Sequence, residues 1–128
     1  AGICGLLEGI RFVRSVGTEE ILAREQKITR FLAQQLGQIP GIRVFASEDA
    51  AQTGVLSVLV EGQDCEQTGQ LLAERGIAVR AGLHCAPVAH ESADTLESGT
   101  VRISCSVFNT MHQARKLVSA MRSIQKMR

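Results

Sequence analysis

The sequence predicts an α+β domain, a small and mostly antiparallel sheet with helices packed on one face. Three observations carry that expectation. Apolar residues recur at helical spacing in the first third of the chain and again at its end. Short β-branched runs lie between them. The resulting order, helix, helix, strand, strand, helix, strand, strand, helix, is that of helices segregated to one side of a sheet.

The first helix is read from Leu6, Leu7, Ile10 and Val13, and Gly17-Thr18 breaks it. Thr18 is the expected N-cap of a second helix, with Glu19 and Glu20 placed favourably against the helix dipole. Ile21, Ile28, Phe31, Leu32 and Leu36 form its apolar stripe, and Gly37 followed by Pro40-Gly41 ends it. Ile42 to Ala46 alternates as a short strand, and after the polar segment Ser47 to Thr53 the run Val55 to Val60 reads as a buried one. Asp64, with Gln67 in the capping-box position, starts a helix that reaches Arg75 and stops at Gly76. Ile77 to Arg80 and Thr100 to Ser106 are the remaining strands. Asn109 or Thr110 caps the last helix, in which Ala114, Leu117, Val118, Met121 and Ile124 face inward.

No repeat, low-complexity tract or linker divides the chain, so residues 1–128 read as one domain. The formal net charge is +1 with the basic residues scattered, and Trp and Tyr are absent. Neither a phosphate-tracking surface nor a stacking platform is indicated, so no nucleic-acid partner is expected. No apolar run approaches the roughly 18 residues of a membrane span, and a signal-peptide pattern is missing from the start. The chain opens inside an apolar stretch, read as a helix that has lost an upstream partner. Cys4, Cys65, Cys85 and Cys105 lie far apart without a Cys-x-x-Cys pair, which fits reduced thiols in the cytoplasm rather than a disulfide framework.

The chemistry concentrates between the last two strands, from Leu83 to Gly99. This stretch has no periodicity, is too apolar for disorder, and begins Leu83-His84-Cys85-Ala86-Pro87-Val88-Ala89-His90. Arg80 ends the strand before it and Arg102 lies early in the strand after it. If those strands are neighbours, both guanidinium groups sit on the loop's side of the sheet. Arginine suits carboxylates through its planar fork, and a cationic neighbourhood favours the thiolate form of cysteine. The residues alone leave two readings open: an anion-binding, thiol-bearing site, or surface arginines beside an inert thiol.

The stretch Gly76 to Pro87, with Arg80-Ala81-Gly82-Leu83-His84-Cys85-Ala86 at its centre, resembles the signature of the cysteine desulfurase and selenocysteine lyase family. That family belongs to the class V aminotransferase-like, fold-type I pyridoxal-phosphate enzymes. Gly99 to Ser104, continuing into Phe108-Asn109-Thr110, resembles the strand with the family's substrate-carboxylate arginine. Ala1 to Gly17 resembles the helix entering the C-terminal small domain. The resemblance implies that domain's fold, and a reaction that takes sulfur from L-cysteine or selenocysteine and leaves alanine. It implies that Cys85 is the nucleophile that becomes a persulfide, that Arg102 clamps the substrate carboxylate, and that Arg80 is a second cation at the site mouth. His84 orients the loop or assists proton movement, whereas His90 reads as structural. A homodimer and a sulfur-acceptor protein are implied for the full-length enzyme.

The chain departs from the family in one respect. Pyridoxal phosphate needs a Schiff-base lysine, an acidic partner and a phosphate cradle, which the family places in its large domain. Lys27, Lys116 and Lys126 read as solvated helix charges, so no cofactor-binding residue is assigned here and the chain alone is expected to be inactive. Two rivals are a zinc site built from His84, Cys85, His90 and Cys105, and a non-catalytic module that binds a carboxylate or carries a persulfide. Adjacent His-Cys residues are poor joint ligands, so no metal is assigned. Cys4, Cys65 and Cys105 read as packing residues.

Overall fold

The computed structural model describes residues 2–47 and 52–127. Helix α1 (Gly2–Val16) leads into α2 (Thr18–Gly37), strands β1 (Ile42–Phe45) and β2 (Val55–Val60), and α3 (Cys65–Glu74). Strand β3 (Arg80–Gly82), a short helix α4 (Pro87–Ser92), strand β4 (Thr100–Ser104) and α5 (Met111–Lys126) complete the chain. The four strands form one sheet in the order β1-β2-β4-β3, and every pairing is antiparallel. The expected α+β fold is therefore present, with α4 as an addition.

The core fills the space between one sheet face and α2, α3 and α5. Leu56, Val58 and Val60 point inward from β2, and Val101 and Ile103 from β4. They meet Ile28, Leu32 and Leu36 from α2, Leu72 from α3, and Leu117, Val118, Met121 and Ile124 from α5. All five inward residues expected on the last helix are buried. Thr110 caps α5 through a capping box, accepting from Gln113 N at 3.3 Å while Gln113 Oε1 accepts from Thr110 N at 3.0 Å. The Asp64 carboxylate caps α3, accepting from Glu66 N at 2.8 Å and Gln67 N at 3.1 Å.

Boundaries shift where a backbone amide is needed elsewhere. The N-cap of α2 is Gly17, at φ 89° with no side-chain cap bond, and Thr18 is already helical. The third strand begins at Arg80 rather than Ile77. Ile77 N donates to Leu72 O at 3.0 Å and Gly76 N to Ala73 O at 2.8 Å, a Schellman closure of α3 with Gly76 at φ 70°. Arg80 thus opens its strand instead of ending it. The fourth strand stops at Ser104, because Ser106 N donates to Asn109 Oδ1 at 2.8 Å and turns the chain. Cys105 lies just beyond that strand. Residues 48–51 of the polar segment lie outside the described residues.

Helix α1 packs on α2 yet buries none of its residues. Ile3 is 86% exposed and Leu6 66%, and Leu7, Ile10 and Val13 are exposed as well. Cys4 shares that exposure, which corrects its reading as a packing residue. Cys65 is buried and Cys105 half-buried, as packing residues should be.

Candidate active site: a cross-strand arginine pair beside an exposed thiol

The sheet face away from the three large helices carries the candidate residues. Arg80 and Arg102 lie directly opposite one another in the β3–β4 ladder, and Ser57 is opposite Arg102 on its other side. Directly paired residues of a ladder project to the same face, so both guanidinium stems rise together. They line a cavity of about 250 Å³ with Val79 and Ser104. Like charges opposite each other destabilise a sheet unless something neutralises them. Among the described residues the ion pairs are Arg11–Glu8 and Arg24–Glu20, so no carboxylate neutralises this pair. The Nε atom of Arg102 is enclosed without a hydrogen-bond partner, a donor left open in a well-bonded domain.

Cys85 stands at the tip of a tight turn just past β3. Ala86 N donates to Leu83 O at 2.9 Å, and both central residues have positive φ, His84 at 53° and Cys85 at 59°. This is a primed turn, which Asn-Gly ordinarily supplies. Each L-residue held in the left-handed region costs about 1–2 kcal/mol, so the thiol is displayed at an energetic cost. The Cys85 side chain is exposed.

The turn is fastened by His84, whose Nε2 lies 3.2 Å from the Thr100 carbonyl. A carbonyl only accepts, so Nε2 carries the proton and Nδ1 is the unprotonated nitrogen. Nδ1 is buried with no partner. Burial lowers the His84 pKa below 6.5, and the positive charges of Arg102, His90 and Arg80 push the same way against the Thr100 carbonyl. The imidazole is therefore neutral at neutral pH. His90, 7% exposed on α4, holds the loop through Thr95 Oγ1, 2.8 Å from its Nδ1. Arg43 Nη2 donates to Ala93 O at 2.7 Å and ties the far end of the loop to β1.

Gly99 closes the loop where nothing larger fits. At φ 60°, a Cβ there would lie 2.8 Å from Cys65 Sγ and 3.1 Å from Gly82 Cα. Burial raises the pKa of Cys65, only partly offset by a Gly82 backbone hydrogen bond. Burial does the same to Cys105, so both stay protonated thiols.

The β3–β4 ladder thus carries Arg80 and Arg102 at its first pair and runs through Gly82–Thr100 into the turn of His84 and Cys85. About 7 Å of strand separates Thr100, which anchors the turn, from Arg102. Cys105 lies off this face, and among the described residues no three His, Cys, Asp or Glu side chains form a metal-binding group. The zinc arrangement therefore has no geometric basis. Thr100 and Thr95 are the contributors that sequence reasoning missed. Thr100 acts chiefly through its backbone carbonyl, which no side-chain pattern reports.

The lysine needed for pyridoxal phosphate is not at this site. Lys27 projects from α2, and Lys116 and Lys126 from α5, all three exposed on helices that cover the opposite sheet face. The residues here do not form a cradle for that cofactor. They present two unneutralised guanidinium groups and an exposed thiol.

Known proteins share this arrangement of elements. A cysteine desulfurase of Synechococcus elongatus is 38% identical over 126 residues, covering 98% of this chain and 20% of the relative. A probable cysteine desulfurase of Mycolicibacterium paratuberculosis is 36% identical over 124 residues, covering 97% of this chain and 18% of the relative. The solved cysteine desulfurase of Thermococcus onnurineus superposes with a TM-score of 0.89 at 26% identity, over 97% of this chain and 30% of that one. The cysteine desulfurase CsdA of Escherichia coli gives 0.82 at 25% identity, over 91% of this chain and 28% of that one. The chain spans less than a third of the length of each of these proteins. The model of the family described as aminotransferase class-V matches residues 1–117. With that match over most of the chain and the α+β fold shared with solved proteins, the chain belongs to the aminotransferase class-V family.

Proposed function

We propose that residues 1–128 are the C-terminal small domain of a pyridoxal-phosphate-dependent cysteine desulfurase, supplying its sulfur-accepting thiol and its grip on the substrate carboxylate. The observation that carries this reading is the unneutralised Arg80–Arg102 pair on the same two strands that lead into the strained, exposed turn bearing Cys85. An amino-acid carboxylate is the anion such a pair recognises, since the guanidinium fork donates two parallel hydrogen bonds to it. Arg102, half-buried and with an open donor, is the clamp. Arg80, more exposed, guides the anion in.

Cys85 acts on the sulfur of the bound substrate. As the thiolate, Sγ forms an S–S bond to that sulfur while the substrate C–S bond breaks. The electron pair of the broken bond stays with the three-carbon fragment, which takes up the proton Cys85 released and leaves as alanine. Cys85 is left as a persulfide. Cysteine and selenocysteine both fit this step, with L-cysteine the primary substrate. The cofactor belongs to another part of the polypeptide. The uncovered apolar face of α1 supports packing against such a part. The full-length enzyme is a cytoplasmic homodimer that hands the persulfide sulfur to an acceptor protein.

The test is to incubate the full-length protein with ³⁵S-labelled L-cysteine and to map the label after proteolysis. The expected result is alanine formation with label on the Cys85 peptide, and loss of both in Cys85→Ala. Alanine and sulfide production that survives Cys85→Ala, or label on another cysteine, would refute the assignment.

A further inference from the structure

Away from the site, the charge distribution of α5 is unlike that of the rest of the chain. The helix carries four of the 14 basic residues, Arg115, Lys116, Arg122 and Lys126, and none of the 13 acidic ones. Its first turn has no acidic residue where the helix dipole favours one. Arg122 and Lys126, four apart, repel one another. Helix α2 shows the ordinary solution, pairing Arg24 with Glu20 and setting Arg30 on Gln26. Lys126 in the last turn suits the helix dipole and Arg122 donates to Gln35 Oε1 at 3.3 Å, but among the described residues Arg115 and Lys116 have no such local role.

The exposed face of α5 is concave against the end of α3. A cavity of about 520 Å³ lies there, with the cations Arg75, Arg115 and Lys116 and the imidazole of His112 on its walls and the apolar Ile77 and Ala120 among its lining. Arg75 is held in place, donating to Leu71 O at 2.7 Å. Among the described residues none of these cations is ion-paired. From His112 to Ser123 the groove runs about 16 Å along the helix, room for several residues of a peptide.

We propose that this face of α5 is a docking surface for an acidic segment of a partner protein. The carboxylates of that segment neutralise Arg75, Arg115 and Lys116, and an apolar side chain settles on Ile77 and Ala120. The inference is independent of the desulfurase reading, because the groove shares no residue with the site around Cys85.

The experiment is fluorescence anisotropy of a labelled decaglutamate peptide with the full-length protein, in low and in physiological salt. Saturable binding is expected, weakening by roughly ten-fold or more as salt shortens the screening length. Arg115→Glu combined with Lys116→Glu should abolish it, and Arg30→Glu on α2 should leave it within about two-fold, since charges off the groove are screened from it. Sulfide production stays at the wild-type level in all variants. Three results would overturn the proposal: no binding by the wild type, equal loss in Arg30→Glu, or undiminished binding by the double variant. Displacement of the peptide by inorganic pyrophosphate at equal charge concentration would also overturn it, in favour of a small-anion site.

Discussion

Replacing His84 separates two roles that an imidazole beside a reactive thiol can play. If it moves protons, any residue without a titratable nitrogen is inactive. If it holds the turn, the requirement is a donor at the position of Nε2, 3.2 Å from the Thr100 carbonyl. Glutamine places an amide N–H there; alanine does not. The hydrogen bond itself contributes about 0.5–1.5 kcal/mol, and leaving the buried Thr100 carbonyl without this donor costs about 1–3 kcal/mol. His84→Ala therefore loses about 1–3 kcal/mol at a turn that already carries two residues at positive φ. That energy corresponds to a roughly 5- to 150-fold smaller population of the competent turn.

The assay is steady-state sulfide and alanine production by the full-length enzyme. His84→Ala should lower kcat within that range and leave KM for L-cysteine nearly unchanged, because Arg102, the proposed carboxylate clamp, is untouched. His84→Gln should stay within about three-fold of wild type, its donor offsetting the loss. A glutamine variant as defective as alanine, with both folded by circular dichroism, refutes the positioning argument and makes His84 a proton-transfer group. Alanine at wild-type rate would show that the turn needs no anchor.

The remaining expectations follow from the same geometry. Arg102→Ala should raise KM for L-cysteine by about 30-fold or more, the cost of about 2 kcal/mol for a lost charge-paired contact, whereas Ser104→Ala should change it little. Iodoacetamide at pH 8, followed by peptide mass mapping, should modify Cys85 and Cys4 first and Cys65 and Cys105 last, because burial raises the pKa of the latter two; equal rates in the folded protein would contradict this. Gly99→Ala combines a left-handed φ with a Cβ 2.8 Å from Cys65 Sγ, and should lower the unfolding free energy in urea by about 2–5 kcal/mol. His84 is neutral in the fold and its pKa lies below the ordinary 6.5. The unfolded chain therefore takes the proton first on acidification, so this contribution is complete above pH 6.5 and is lost as pH falls through the folded value. His84→Gln should flatten that part of the stability profile between pH 7 and pH 5.

What the sequence makes legible is what periodicity and caps encode. The inward face of α5, the Asp64 and Thr110 caps and the buried run Val55–Val60 are side-chain patterns that local physics reads directly. The starts of β3 and α2 are less legible, because they depend on where Ile77 N–H goes and on a glycine cap without a side chain. Helix α4 is six residues long, shorter than a hydrophobic period needs, and only Pro87 at its first turn marks it. The site was half visible. Cys85, Arg80 and Arg102 stand out as residue types, but His84-Cys85 gives no hint of consecutive positive φ, since neither is Gly or Asn. The Thr100 carbonyl that pins the turn is backbone and carries no signal.

The position of the arginine pair is not an independent design from the core. Along β4 the residues alternate between faces, so Val101, 1% exposed against the helices, and Arg102, on the open face, are set by one register. Slipping β4 by one residue would carry Arg102 into the apolar core and Val101 to the open face. The energy that forbids this is the burial of Val101 and Ile103 together with the desolvation of a guanidinium, several kcal/mol in all. The same register sets Gly82 opposite Thr100 and so places the carbonyl that His84 finds. Core packing thus fixes the charge pair and the turn anchor at once. A mutation that loosens the β4 packing, such as Val101→Ala, should therefore disturb the Arg80–Arg102 pair and the Cys85 turn together, weakening the proposed substrate grip and thiol display, even though Val101 faces away from both.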